Sequence, residues 1–312
     1  IVISPDTITK FLPIQQKGSN AEIVTQYEMH TVEQLGLLKM DFLGLRNLSI
    51  VDRTLELIGS ESLDIDNLKL DDEKTFKLFA EGKMTGVFQL ESRVAQSTSR
   101  SLKPKRFEDI VALVALIRPG PLGAGMHNEF ADRANNRKEI EYLHSDLESI
   151  LNETYGVILY QEQVMQIAEK IAGFNLQEAD NLRVAMGKKI PKVMEEQRKK
   201  FTDGAVSNNY SEQFAIELFD QIAYFAGYGF NKSHSVPYAL LAYQTAYLKA
   251  NYPAEYIAAC LTAVKRDKDR TAIFLSEARD MGVKVSTPDI NLSSSDFTVN
   301  DNEILFGLSA VR

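Results

Sequence analysis

The chain has 312 residues, 44% hydrophobic and 25% charged, with a net charge of −8. That balance suits a soluble globular protein with room for two or more core-bearing units, and it argues against a simple nucleic-acid-coating protein. One cysteine, Cys260, excludes a disulfide framework, and with four scattered histidines (30, 127, 144, 234) no zinc-ligand spacing is present. A reducing, cytoplasmic setting fits. No apolar run approaches the roughly 18 residues of a membrane span, and there is no basic-then-apolar leader, so no membrane partner is expected. The opening Ile1-Val-Ile-Ser4 begins in mid-strand and reads as part of something longer.

The first forty-odd residues read as strands and turns, with Lys17-Gly-Ser-Asn20 a hairpin or loop. In Leu35 to Arg46 a lone lysine and a lone carboxylate interrupt an apolar segment. As a strand, it puts Leu38, Met40 and Phe42 on one face and Lys39 and Asp41 on the other. Two readings stand: an Asp–Lys pair at a strand end, or a metal-and-phosphate site.

Leu48, Val51, Leu55 and Ile58 predict a helix that Gly59 stops. From there the pattern is mostly helical. A buried helix over Ile110 to Ile117 leads into Arg118-Pro-Gly-Pro121, a rigid turn that aims Arg118 outward, either at phosphate or into solvent. Tyr155 to Val164 resembles a short strand feeding a helix, in which Gln161 and Gln163 are polar donors or simply first-turn residues. The helix from Tyr160 to Ala172 carries Val164, Ile167, Ala168 and Ile171 on one stripe and closes at Gly173. Asn175 and Glu178 form a capping box for the next helix, ended by Gly187, and Pro191 suits another first turn. Arg183 and Lys188 share a face of that region, with a solvated surface as the plain alternative. The run is no P-loop, since the first glycine and the following Ser/Thr are missing.

Ser211 caps a helix carrying Phe214, Leu218, Ile222 and Phe225. Gly227 to Ser235 reads as a loop before a helix that starts at Pro237 and runs to Leu248. Its glycines expose backbone N–H groups, Tyr228 and Phe230 can stack a base, and Lys232, Ser233 and His234 supply donors. A satisfied aromatic loop is the alternative. Helices follow from Pro253 to Val264 and from Asp267 to Met281. Val283-Lys-Val285, Phe297-Thr-Val299 and Ile304-Leu-Phe306 then read as short strands, with 300–302 as a turn.

Charge is unevenly spread. Ser92 to Phe107 carries Arg93, Arg100, Lys103, Lys105 and Arg106 without an acid, and Ala226 to Ala250 carries Lys232 and Lys249 without one. Basic residues also dominate Arg183 to Lys200. Such stretches in an acidic chain hint at polyanion contact.

Taken in order, these motifs resemble the α subunit of bacterial replicative DNA polymerase III, the C family of DNA polymerases. The resemblance rests on Leu37-Leu-Lys-Met-Asp-Phe-Leu-Gly-Leu-Arg46, Gly86-Val-Phe-Gln-Leu-Glu-Ser-Arg93, Arg118-Pro-Gly-Pro121, Thr154-Tyr-Gly-Val-Ile-Leu-Tyr-Gln-Glu-Gln-Val164, Ala185-Met-Gly-Lys-Lys189, Phe225 to Ser235, Tyr243 to Lys249 and Pro288-Asp-Ile-Asn291. It covers essentially the whole chain.

The resemblance implies a mainly α fold with an α/β edge. Residues 1–60 would be the C-terminal part of a polymerase β-like nucleotidyltransferase palm, 61–281 helical fingers, and 282–312 the start of a region leading to a helix-hairpin-helix and clamp-binding elements, both of which the chain would stop short of. It implies template-directed addition of dNMP to a primer 3′-hydroxyl with two Mg²⁺ ions roughly 3.5–4 Å apart. Asp41 would be the third metal-binding aspartate, with Lys39 beside it facing the reaction as a catalytic residue and triphosphate or backbone contact, the paired aspartates preceding Ile1, so this polypeptide alone is expected to be inactive. Arg118, Arg183, Lys188, Lys189, Lys232, His234 and Tyr228 would contact nucleotide or phosphate. Implied partners are primer–template DNA, dNTPs, and a sliding clamp and other replisome subunits bound through regions outside this chain. Val184 stands where the family usually carries a second basic residue after Arg183, and Val94-Ala95 where it usually carries Gly-Met. A non-catalytic helical nucleic-acid-binding module is the competing class, with Asp41 then only an ion-pair partner.

Overall fold

A computed structural model describes residues 1–312 apart from 17, 20, 43, 60–62, 189, 190, 226, 227 and 312, and the backbone alone at 188 and 191. The chain divides into two compact units, Ile1–Leu48 and Ser49–Arg312. The boundaries read from the sequence, at 60 and 281, follow motif resemblance rather than compactness.

The first unit contains β1 (Val2–Ile3), β2 (Ile14–Gln16), β3 (Ile23–Thr25), α1 (Met29–Gln34) and β4 (Leu38–Lys39). β2 and β3 pair antiparallel as the expected hairpin, with Gln15 opposite Val24. β1 pairs antiparallel with β4, Val2 opposite Lys39. Leu12, Val32 and Leu37 are buried together, with Val2, Ile8 and Ile14 packed on them. The short helix α1 was not anticipated. Its cap is Glu28, which accepts the His30 and Thr31 N–H groups at 2.9 and 2.8 Å, a role more usual for Ser, Thr, Asp or Asn.

The second unit is helical, in agreement with the expected fold class. It runs through α2 (Asn47–Ile58), whose first two residues fall in the first unit, α3 (Glu73–Glu81), α4 (Arg93–Leu102), α5 (Phe107–Leu116), α6 (Pro119–Gly123), α7 (Met126–Ala134), α8 (Glu148–Leu151), α9 (Gln161–Ala172), α10 (Leu176–Lys188), α11 (Pro191–Ser207), α12 (Glu212–Phe225), α13 (Lys232–Asn251), α14 (Pro253–Val264) and α15 (Lys268–Asp280), then β5 (Thr298–Asn300) and β6 (Glu303–Leu305). β5 and β6 pair antiparallel. The expected strand at 283–285 is reduced to a single bridge from Val285 to Ile304.

Three cores organise these helices. α5 is buried along Asp109 to Leu116 and packs on α13, with α3 and α4 closing the same core. The stripe Val164, Ile167, Ala168 and Ile171 of α9 meets α10, α11 and α12. α14, α15 and the terminal strands enclose Tyr256, Phe274, Phe297 and Ile304. Each such large apolar side chain contributes about 1.5–3 kcal/mol on burial. Gly204 of α11 lies so close to the end of α9 that a Cβ there would sit 2.2 Å from the Ala172 carbonyl oxygen.

The expected caps form. Asn175 and Glu178 exchange bonds of 2.9 and 3.0 Å, and Ser211 Oγ accepts the Phe214 N–H. α10 runs one residue past Gly187, which therefore does not end it. α13 begins at Lys232, not Pro237, which lies inside the helix. At the other end of α13, Lys249 is fully buried. Its ammonium donates to the carbonyls of Lys83 (2.7 Å) and Thr85 (2.8 Å) and to Glu277 Oε1 (2.6 Å). Burial pushes this lysine's pKa down, and the Glu277 charge pulls it back up.

Candidate functional site

In the first unit, the ladder that holds β4 ends at Lys39, and the Met40 N–H adds a bond of 2.8 Å to the Ile1 carbonyl. Strand geometry therefore stops short of Asp41, in contrast to the longer strand read from the sequence. The two charged side chains still meet: Lys39 Nζ lies 3.3 Å from Asp41 Oδ2. Asp41 is 68% exposed and Lys39 30%, and ion pairs this open to water contribute about 0–1 kcal/mol. Such a pair holds little in place and leaves a carboxylate oxygen accessible. Mg²⁺ takes six hard oxygen ligands, and Asp41 fits as one of them. Among the described residues no group of three or more His, Cys, Asp or Glu comes together to complete a site.

In the second unit, α5 ends where Ile117 leaves helical geometry. Arg118 is extended (φ −119°, ψ 153°), as a residue before proline must be, and caps α6. The expected rigid turn is thus one turn of helix with Pro119 in its first position. It carries the Arg118 guanidinium to 4.6 Å from the centroid of Phe230, while the residue stays exposed. The contact joins residues far apart in sequence and is worth about 0.5–1 kcal/mol at such a surface. Phe230 meets His234 edge-on at 5.7 Å, and His234 lies 4.5 Å from Tyr238. Tyr228 packs over Gly120, where a Cβ would fall 2.4 Å from the ring. The glycine between the two prolines is there because the aromatic ring needs its space.

The segment 228–234 is held by α9. Phe230 bridges Tyr160 in parallel sense, through Phe230 N–H to the Leu159 carbonyl (3.3 Å) and Gln161 N–H to the Phe230 carbonyl (2.9 Å). Gln161 Nε2 also donates to the Gly229 carbonyl at 3.3 Å. Asn231 caps α13 by accepting the His234 N–H at 2.9 Å. This cap, with Glu162 accepting the Lys232 N–H at 2.9–3.0 Å, starts the helix five residues ahead of the proline.

Lys232 is a partnered cation. Its ammonium donates to Glu153 Oε2 at 2.7 Å and lies 5.6 Å from the Tyr160 ring centroid. Tyr160 is buried with its hydroxyl unpaired, and burial pushes that phenol's pKa far up. Lys232 and Glu153 line a surface cleft of about 600 Å³ with Arg106, Phe107 and Asn152. Arg106 there binds Asp109 (3.2 Å), the Glu153 carbonyl and the Tyr155 hydroxyl. Burial and the neighbouring Asp109 carboxylate push the Tyr155 phenol up to about 12.

The structure thus brings Arg118 and His234 onto Phe230 and Tyr228 onto α6, whereas the Lys232 ammonium turns to Glu153 and the Tyr160 ring in the cleft beside Arg106. It does not gather Arg183, which pairs with Asp180 on its own helix at 2.8 Å. Lys188 is the last residue of α10 with no described side chain, and Lys189 lies outside the described residues. Val184 is 36% exposed on the same helix. Glu153 and Glu162, the carboxylates that hold Lys232, were not singled out from the sequence. Only the placing of Glu162 in a helix first turn offered a signal.

Residues 47–209 match the model of the bacterial DNA polymerase III alpha subunit finger domain. The chain belongs to that family. Residues 1–44 match the bacterial DNA polymerase III alpha NTPase domain, and residues 282–312 a helix-hairpin-helix motif. The sequence reading had the chain stop short of such a motif, whereas the last match falls on these residues themselves; the described ones among them carry the β5–β6 pair and one 3₁₀ turn. Among relatives, the DNA polymerase III subunit alpha of Mycobacterium tuberculosis is 44% identical over 319 residues. Those of Escherichia coli K12 and Buchnera aphidicola are each 46% identical, over 325 and 327 residues. Each alignment takes in 100% of this chain but only 27–28% of the relative. No helix among the described residues is long and apolar enough to cross a membrane.

Proposed function

We propose that this chain works within a replicative DNA-directed DNA polymerase in the bacterial cytoplasm, adding dNMP to a primer 3′-hydroxyl under template direction. The observation that carries this reading, given the family, is the exposed Arg118 guanidinium held over Phe230, with His234 on the same ring and Tyr228 packed on the Gly120 that follows it. A planar cation braced on an aromatic face, next to further donors, suits the triphosphate of an incoming dNTP. Arg118 binds and orients that group; Lys232 joins it by exchanging Glu153 for a phosphate oxygen. Tyr228 and His234 offer ring faces for a base. The 3′-oxygen then bonds to the α-phosphorus, its proton passing to solvent water, as the bond to the β-phosphate oxygen breaks and pyrophosphate leaves. Asp41 would be one of the ligands holding Mg²⁺, which would supply charge neutralisation and a more acidic 3′-hydroxyl. Arg183, Lys188 and Lys189 remain backbone or phosphate contacts in this scheme. Primer–template DNA and dNTPs are the direct partners, and the sliding clamp and other replisome subunits are reached through regions outside this chain.

The test is steady-state primer extension by the full-length protein at varied dNTP, comparing wild type, Arg118→Ala and Arg118→Lys. A charge-assisted contact of about 1.5–3 kcal/mol predicts a dNTP KM raised roughly 10- to 100-fold in the alanine variant and partly restored by lysine. A wild-type KM in Arg118→Ala removes the assignment. The Lys39–Asp41 pair is the one observation that favours a non-catalytic nucleic-acid-binding module, and metal-independent function of Asp41→Ala would support it.

A further inference from the structure

We propose that Glu162 is a positioning residue that sets the place of the 229–234 segment, and through it the nucleotide-binding geometry of Arg118; this rests on the polymerase reading above. Three consecutive polar side chains at the start of α9 divide the work. Gln163 is buried and secures the turn from within: its Oε1 accepts the N–H groups of Leu159 (2.9 Å) and Tyr160 (3.0 Å), and its Nε2 donates to Thr154 Oγ1 (2.8 Å). Gln161 donates its side-chain Nε2 to the Gly229 carbonyl and its backbone N–H to the Phe230 carbonyl. Glu162 takes the next residues of the same segment, accepting the Lys232 N–H with both oxygens and the Ser233 N–H at 3.4 Å. Leu159, Gln161 and Glu162 therefore hold Gly229, Phe230, Lys232 and Ser233, and Phe230, the face under Arg118, is among them.

The arrangement changes what the start of α13 can do. Exposed N–H groups at the head of a helix normally attract an anion, as the sequence suggested here. In the structure that position is filled by a carboxylate of the protein itself, so the amides of Lys232 and Ser233 are already engaged. A triphosphate consequently meets side chains, Arg118 and the Lys232 ammonium, rather than the helix end. Glu162 serves that geometry by holding the backbone. It touches neither phosphate nor the reacting atoms.

The closing experiment measures dNTP KM, kcat and melting temperature of the full-length polymerase for wild type, Glu162→Ala, Glu162→Gln and Arg118→Ala. Amide hydrogen exchange over 229–234 is followed in parallel. The expected result for Glu162→Ala is a KM raised about fivefold or more with kcat within about twofold, together with faster exchange in the segment. Glu162→Gln keeps one acceptor oxygen and should recover most of both effects. If Glu162 instead repels the nucleotide, its removal lowers KM, and the inference is overturned. It is overturned equally if KM and exchange stay at wild type while Arg118→Ala raises KM. An unchanged KM in Arg118→Ala would bring down the site reading itself, and this inference with it. If the alanine variant does not fold, the glutamine variant and its exchange rates decide.

Discussion

Replacing Lys249 with methionine removes the charge of a fully buried side chain while keeping much of its volume. The ammonium satisfies two carbonyls, those of Lys83 and Thr85, and the Glu277 carboxylate, whose side chain is only 14% exposed. All three acceptors lose their donor together. Breaking a buried pair from one side typically costs about 3–5 kcal/mol, because the remaining charge stays desolvated. For a unit of this size, 1 kcal/mol shifts the melting temperature by about 2–4 °C, so Lys249→Met should lower it by roughly 6–20 °C. Circular dichroism melts and urea titrations of the protein measure this directly. Adding Glu277→Leu removes the stranded carboxylate and should recover a large part of the loss, leaving only the two carbonyls unpaired. A single-variant shift under about 2 °C, or a double variant as unstable as the sum of its parts, would refute the claim that this pair is sealed from water.

Two further outcomes are expected. Gly120→Ala drives a methyl group into the Tyr228 ring, 2.4 Å from the would-be Cβ, and should cost about 1–3 kcal/mol. Combining it with Tyr228→Ala should recover most of that in a melt, and strict additivity would show that the two do not collide. Acid unfolding should carry a contribution from Glu129, whose carboxyl the Lys138 ammonium and the neighbouring Arg133 hold below its ordinary value of 4.5. A lowered folded pKa gives stability that is complete above the ordinary value and lost as pH falls through the folded one. Glu129→Gln should therefore flatten the fall in melting temperature below pH 4.5, and an unaltered acid limb would exclude this carboxylate.

Local signals made most helices legible. Val164, Ile167, Ala168 and Ile171 repeat at helical spacing, and the Asn175–Glu178 box and Pro253 mark boundaries with side chains a few residues away. Where a boundary depends on a distant partner, the sequence misled. Pro237 looks like a helix start, yet Asn231 and Glu162, the latter 70 residues from the Lys232 it caps, move that start to Lys232. α1 was missed because its cap is a glutamate. The same division holds for the site. Arg118 was visible as a rigidly presented arginine, but its support on Phe230, the ring filling the space at Gly120 and the Glu153 partner of Lys232, 79 residues away, are tertiary facts. Periodicity and spacing cannot carry them.

Asp41 decides between the polymerase and the non-catalytic module. Primer extension by the full-length protein, wild type beside Asp41→Ala, with primer–template binding measured on both, separates its two readings. The expected result is that extension is lost while binding persists, because the variant removes the proposed metal ligand and no proposed phosphate contact. Near-normal extension by Asp41→Ala would contradict it and reduce the Lys39–Asp41 pair to an exposed ion pair at the end of a strand.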